Sequence, residues 1–469
     1  MTRSRRVLWI GLGVLLFGCS TTARRTSTPD SEEAATRRPR GTWRMDLPGP
    51  GSSRFTGMAT QAGDILAIGS FEGETTVDGE HLVSSGEQDV LAVRLSQDGK
   101  LRWARRWGGA GYDSGEAIEP GADGSVLVVG HLAGAVDFDG TSLPGRGDTD
   151  CFIAKLAGED GHTLWVRRFG GAGSAACRSA AFDRAGDVLV TGRFDGQVDL
   201  GFGLRSSAGG NDLLLVKLSG QDGTPRWART FGGAGDDIGR DVAVDASGTV
   251  FLTGHFSSAV EPSVGALDFG GAVRLTSAGD SDAFLAAFSG DGHCLWARAI
   301  GEANFDLVKS VVPAPDGTLF LTGLFQGNVT RQPGQILFAA GGFEGFVGRY
   351  SSRGEELWRR RYPTLTSGHA IALTPSVELA MAGHFSSTLE LGAGRTLQSE
   401  GGNDATVVLF DSTGAVRWAH RMGGPGHDYG YAVAAVAEGV AVAGMFAGPA
   451  PAGGGEPSSH GFIAWLPLR

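Results

Sequence analysis

The chain has 469 residues, 78 of them glycine, and a formal net charge of −11. The acidic balance argues against nucleic acid as a partner, because a basic face supplies most of that affinity. Apolar residues make up 41% and charged ones only 19%, so a large core can be buried. Short apolar runs punctuated by glycine, with no convincing helical period, indicate an all-β domain with many turns.

Residues 1–18 read as an export signal. Arg3, Arg5 and Arg6 give a positive start, and the apolar stretch Val7–Phe17 is too short to span a bilayer. Its end, Leu16-Phe17-Gly18-Cys19, resembles the lipobox of bacterial lipoproteins. That resemblance implies cleavage before Cys19, a diacylglycerol on its thiol and acylation, as by palmitate, of the new N-terminus. The alternative is an ordinary secretory signal with an incidental cysteine. Loss of the three arginines takes the net charge from −11 to about −14 (−11 − 3). Two or three acyl chains anchor stably, at about 0.8 kcal/mol per buried CH₂. Ser20, where an aspartate is absent, favours the outer membrane by resemblance to enterobacterial lipoproteins, on its periplasmic face or its surface. Residues 19–40 are Ser, Thr, Arg, Glu and Pro without large apolar side chains. Such a segment cannot offset its ordering entropy and is expected to be a disordered tether.

From residue 41 to 469 one pattern recurs seven times. Its marker is a tryptophan: Trp43, Trp103, Trp165, Trp227, Trp296, Trp358 and Trp418. A fixed period of about 60 residues means an array of one supersecondary unit. A glycine stands four residues before six of these tryptophans, often in an Asp-Gly pair such as Asp160-Gly161 or Asp222-Gly223, which signals a tight turn. An alternating strand precedes the turn, as in DVLAVRL from Asp89 or DCFIAKL from Asp150. Two residues after the tryptophan, Arg105, Arg167, Arg229, Arg298 and Arg360 are expected to stack on aromatics or pair with a repeat aspartate. Glycine turns such as GGAGDD from Gly232 follow, then a strand ending in Gly69, Gly130, Gly192, Gly254, Gly323, Gly383 or Gly444. An apolar residue always stands two positions beyond that glycine, which marks a packing rule repeated around an axis.

Four short antiparallel strands per repeat make a propeller blade. Residues 461–469 match the strand before the Asp-Gly hairpin but lack a tryptophan strand after it, whereas the strand at Trp43 has nothing before it. Together they are expected to complete the seventh blade. The fold class is therefore an all-β, seven-bladed propeller of four-stranded blades, closed by its N-terminal strand.

The motifs GGAGDDIGRDVAVDASGTVFLTGHF (residues 232–256) and DAFLAAF (282–288) resemble the SBBP-type bacterial β-propeller repeat family across nearly all of residues 41–469. That family implies the fold and an interaction role. The junctions GEAN (301–304) and YPTL (362–365) depart from its pattern, as do extra residues near Glu261–Leu267, so loops there should differ. The Gly-x-x-x-Trp feature also resembles pyrroloquinoline-quinone-type propellers, in which tryptophans dock neighbouring blades. That group includes quinone dehydrogenases and the lipoprotein scaffold of the outer-membrane β-barrel assembly machinery.

Candidate chemistry is thin. His131, His255 and His384 follow the repeated glycine in three blades. At a channel mouth they would converge on a metal or anion; the competing reading is variable loop sequence. Asp113, Asp237 and Asp428 recur in the glycine turns, and Asp137 and Asp139 lie in VDFDG. Carboxylates in glycine loops can hold calcium, although such aspartates usually cap their own backbone. Cys151 and Cys177 are brought into reach if adjacent repeats abut, or stay buried thiols, and Cys294 makes the number odd. No Cys/His cluster has zinc spacing, and no nucleophile elbow or HExxH helix appears. No cofactor and no catalytic residue is expected. The favoured expectation is a lipid-anchored, non-catalytic scaffold for an envelope protein. The alternatives are a glycan or small-ligand binder in the channel mouth and a metal- or quinone-dependent enzyme.

Overall fold

The computed structural model describes residues 41–257, 266–271, 273–301, 304–326, 329–331, 335–337, 342–448 and 458–468. The export signal, Cys19, the tether and most of the extra residues near Glu261–Leu267 lie outside them. The described residues form seven four-stranded antiparallel sheets arranged as a β-propeller. The inner strands, blade by blade, are Ser53–Gln61, Ser114–Pro120, Ala175–Phe182, Asp237–Val244, Asp306–Pro313, Leu365–Leu373 and Asp428–Val436. Each contacts the inner strand of the blade on either side, so the ring closes. The seventh blade takes its outermost strand, Trp43–Asp46, from the other end of the propeller: Trp43 pairs with Trp465 and Asp46 with Phe462. Leu47 N–H donates to Gly461 O at 2.8 Å and extends the clasp.

The middle strands of a blade are covered on both faces, which explains their continuous apolar sequence. DCFIAKL, DLLLVKL and DAFLAAF are buried at nearly every position. The core is accordingly a set of layers between neighbouring blades, with one apolar cluster at each junction. Cys151 on the third strand of blade 2 and Cys177 on the inner strand of blade 3 form a disulfide across one such junction, while Cys294 is free.

Two glycine positions are dictated by close approach. A β-carbon on the glycine that ends each second strand would lie on an inner-strand carbonyl: 1.9 Å from Arg54 O at Gly69, 2.0 Å from Ala176 O at Gly192 and 1.8 Å from Tyr429 O at Gly444. Opposite that glycine every inner strand carries a β-bulge. The second position is the glycine of the turn between third and fourth strands, at positive φ in Gly99, Gly161, Gly223, Gly292, Gly354 and Gly414. The preceding blade's tryptophan packs flat on it, with Trp165 2.7 Å from a β-carbon placed on Gly223. Nε1 of Trp43, Trp103, Trp165 and Trp227 donates to the same turn, to Gln97 O, Gly158 O, Gly220 O and Gly290 O at 2.9–3.3 Å. The arginine two residues on completes this dock. Arg229 lies 5.5 Å over the Trp227 ring, and Arg105 Nη2 donates to Asp160 O at 2.6 Å. Its partner is thus the turn's backbone carbonyl rather than an aspartate carboxylate.

Blade 7 has no such turn, because its third and fourth strands come from opposite ends of the propeller. Among the described residues Trp418 has no turn glycine to pack on and lies against the apolar cluster between blades 6 and 7. Its Nε1 is buried without a partner among the described residues, and a cavity of about 500 Å³ opens beside it.

The glycine turns are capped by their aspartates. Asp113, Asp237 and Asp428 accept from Gly109, Gly233 and Gly424 N–H at 2.7 Å. Each neighbours an aspartate that opens a third strand. Asp89 and Asp404 there are ion-paired with Arg106 and Arg421, as is Asp150 with Arg168 in blade 2, where Ala175 stands in place of a turn aspartate, but blade 3 has Thr230 at the arginine's position. Burial pushes Asp212 up to about 6. It pushes Asp237 up to about 7, with the neighbouring Asp212 adding to the shift. Where YPTL replaces the glycine turn, Pro363-Thr364 alone joins the strands Glu356–Tyr362 and Leu365–Leu373.

Two predictions follow from these contacts. The disulfide spans 26 residues, so the double variant Cys151→Ser/Cys177→Ser should lose about 3 kcal/mol of unfolding free energy. Denaturant titration should show the same loss for reduced wild type and no effect of reductant on the variant. The second concerns pH. A carboxyl with a raised folded-state pKa contributes full stability below its ordinary value, near 4, and loses it as pH rises through about 7. Asp237→Asn keeps an acceptor for Gly233 N–H and removes that loss. The variant should therefore exceed wild type by on the order of 1–3 kcal/mol at pH 8, with the difference vanishing near pH 4 in melts at both values.

Candidate functional site

The seven inner-strand bulges set one residue per blade into the central channel: Thr56, Glu116, Arg178, Arg240, Lys309, His369 and Tyr431. All seven are partly exposed, while the ladder residues beside them are mostly buried. The extra residue of a bulge leaves the ladder, and its side chain is redirected. Here that places a ring of unlike side chains around a cavity of about 450 Å³.

The ring is electrostatically lopsided. Blades 3, 4 and 5 contribute Arg178, Arg240 and Lys309 in succession. Arg178 Nη1 pairs with Glu116 at 3.0 Å, and Glu116 also faces His131 at 3.6 Å. Lys309 Nζ lies 3.2 Å from His369 Nδ1, and His369 Nε2 lies 3.0 Å from His384 Nδ1. Arg240 has a buried Nε with no partner among the described residues. Burial, then the neighbouring Arg240, lowers Lys309 to about 7. Burial, then Arg178, lowers Arg240 to about 10. Burial and the adjacent cations hold His369 well below the ordinary imidazole value. Across the ring Tyr429 and Tyr431 lie parallel, with centroids 5.7 Å apart. Further along the inner strands Glu119 is pushed up to about 8 by burial and the nearby Asp241. Asp241 accepts from Ser179 Oγ at 2.6 Å and Val311 N–H at 2.8 Å, and burial raises it as well.

The histidines singled out from the sequence do face this region, at one register of the second strands, but in blades 2, 4 and 6. They do not converge. His131 stacks on Tyr112 beside Glu116. His255 packs against Phe305, and His384 against His369 and Tyr429. Burial lowers His131 to about 4 and both His255 and His384 to about 3. Among the described residues no three His, Cys, Asp or Glu side chains are grouped to hold a metal ion. Asp137 caps Gly140 N–H at 2.8 Å, and Asp139 accepts from Thr163 N–H and Oγ1 at 2.8 and 2.7 Å. Both serve the hairpin formed by Val136–Phe138 and Thr141–Leu143.

The channel ring itself escapes a motif search, since its seven members share no chemistry. Their common signal is distance. Each precedes the repeated glycine by thirteen or fourteen residues, on the strand that bulges against it.

No known protein-family profile matches the chain. It is 24% identical over 371 residues to the regulatory protein FlaEY of Caulobacter vibrioides, covering 75% of this chain and 38% of that protein. It is 22% identical over 420 residues to the uncharacterized WD repeat-containing protein L264 of Acanthamoeba polyphaga mimivirus, covering 72% of this chain and 30% of that protein. The chain thus spans roughly a third of the length of these curated relatives. Among solved structures it is similar to the WD40 β-propeller domain of Doa1, at 12% identity and a TM-score of 0.42, covering 90% and 95% of the two chains. It is also similar to a quinohemoprotein alcohol dehydrogenase from Pseudomonas putida HK5, at 11% identity and a TM-score of 0.41, covering 90% and 75%.

Proposed function

We propose that this chain is a lipid-anchored cell-envelope β-propeller that acts as a non-catalytic scaffold for another envelope protein. One observation carries the reading: the two rims of the ring are built differently. At one end every blade closes with a tight turn, such as Ala62-Gly63 or Ala246-Ser247-Gly248. At the other end the link between second and third strands grows into a two-stranded hairpin, as in Glu74–Val83, Val136–Leu143 and Gln197–Ser206. In blade 6 the strands themselves extend, to Glu390 and back from Thr396. Exposed Val83, Phe202, Leu204 and Phe343 lie on this rim. A rigid ring that varies its loops at one end is suited to presenting a binding surface, and apolar side chains there suit a protein partner.

Attachment through Cys19 would tie the chain to the outer membrane, and the resemblance of its repeats to the SBBP-type repeat family fits an interaction role. Relatives named as a regulatory protein and a WD repeat-containing protein are compatible with binding rather than turnover. In-cell crosslinking of the full-length protein, read by mass spectrometry beside a Cys19→Ser control, tests the reading. A stoichiometric envelope partner that disappears in the control is expected. Absence of any partner from repeated captures would overturn the scaffold, and a partner retained by Cys19→Ser would overturn the anchor.

A further inference from the structure

We propose that Arg178, Arg240 and Lys309, backed by Arg193, bind a small multivalent oxyanion, carboxylate or phosphate, inside the central channel. These cations occupy the bulge positions of three consecutive blades, so they form an arc facing one cavity of about 450 Å³. That volume suits a small molecule. Their charges are not balanced from within. Glu116 is committed to Arg178 and His131, and Asp241 to Ser179 and Val311. Glu119 is set beside Asp241. Arg240 has no ion-pair or hydrogen-bond partner among the described residues and buries its Nε. Among the described residues the hydrogen-bond partner of the Lys309 ammonium is the His369 ring, itself pushed toward the neutral form. Arg193, on the neighbouring second strand, donates to Asn211 Oδ1 and adds a further positive charge.

A partly buried cation without a counter-charge costs free energy, and a paired, hydrogen-bonded anion relieves that cost. A guanidinium fork is shaped for carboxylate or phosphate oxygens, to which a second cation contributes a point charge. Because the arc spans three blades, a single monovalent ion cannot satisfy it, whereas a ligand with two or more anionic groups bridges it. Tyr431, stacked on Tyr429, lines the far side of the cavity and supplies an aromatic wall. This inference is independent of the rim scaffold: a failed titration here leaves the crosslinking result standing.

The test is calorimetric titration of the detergent-solubilised full-length protein with citrate and, separately, pyrophosphate at low ionic strength. Arg240→Gln and Lys309→Gln are compared with Arg226→Gln on an exposed outer strand. One-to-one binding of at least one probe is expected, weakened tenfold or more in Arg240→Gln and Lys309→Gln and unchanged in Arg226→Gln. Whichever probe binds more tightly tells carboxylate from phosphate. The same probe should raise the melting temperature of wild type and not that of Arg240→Gln. Neither substitution removes a charge-balanced contact, so both variants should melt no lower than wild type without ligand. No saturable binding of either probe, or binding that survives both substitutions, would overturn the proposal.

Discussion

A backbone carbonyl of each inner strand occupies the place where a side chain would begin on the strand beside it, and the rest of the propeller is arranged around that contact. The separation from an imagined β-carbon is 1.8–2.3 Å at the seven repeated glycines, which no other residue tolerates. The inner strand reaches so close because it bulges there, and the bulge bends it around the axis. Bending all seven inner strands at one level lets seven flat-sided sheets meet around a channel. It also frees one side chain per blade from the ladder and sends it inward. The constraint that builds the ring thus builds the channel lining, and it fixes where a residue stands without fixing which residue it is. Thr56, Glu116, Arg178, Arg240, Lys309, His369 and Tyr431 show how widely that freedom is used.

A second interaction holds the ring together tangentially. Tryptophan on one blade covers the glycine of the next blade's turn, donates to its carbonyl and is itself covered by arginine. Because each dock reaches forward by one blade, six docks link seven blades and the last has no acceptor. That vacancy falls between blades 6 and 7, and it arises because the clasp within blade 7, with its four ladder positions from Trp43 to Asp46, stands where the other blades have a turn. The junction of blades 6 and 7 therefore lacks the tryptophan dock found at the other six. It still has an apolar layer, in which Ala380, Val407, Val440 and Phe462 are completely buried. Closure thus rests on burial, with the strand pairing setting its register.

How far the chain is legible in sequence depends on what repeats. Tryptophans, turn glycines and second-strand glycines answer to backbone geometry, which is the same in each blade, so they recur and reveal the fold and its closure. The cysteine pair was undecided because Cys151 and Cys177 each occur once, and only the register of two different blades shows that they abut. His131, His255 and His384 share one register of the second strands, but alternate blades turn them toward separate neighbours: Glu116 and Tyr112, Phe305, and His369 with Tyr429. The channel ring was invisible as a set because selection of its members follows function or tolerance rather than geometry. What could have found it is the glycine itself, read as a sign that the strand opposite must bulge.

Charge follows the same division between geometry and freedom. The turn aspartates recur because they cap backbone N–H groups, and burial then forces two carboxylates together at several junctions. Blades 1 and 6 set Arg106 and Arg421 beside the pair, although burial still raises Asp113 and Asp428; blade 3, with Thr230, leaves both Asp212 and Asp237 raised. In the channel the imbalance has the opposite sign, with cations clustered on one arc of an otherwise acidic chain. A structural need would distribute counter-charges as it does for the arginines that pair with third-strand aspartates. Nothing in the ladder, the bulge or the inter-blade layers requires Arg240 or Lys309 to be cationic, since Thr56 and Tyr431 fill the same position in other blades. Their charge is therefore best understood in terms of what enters the channel rather than what holds the ring.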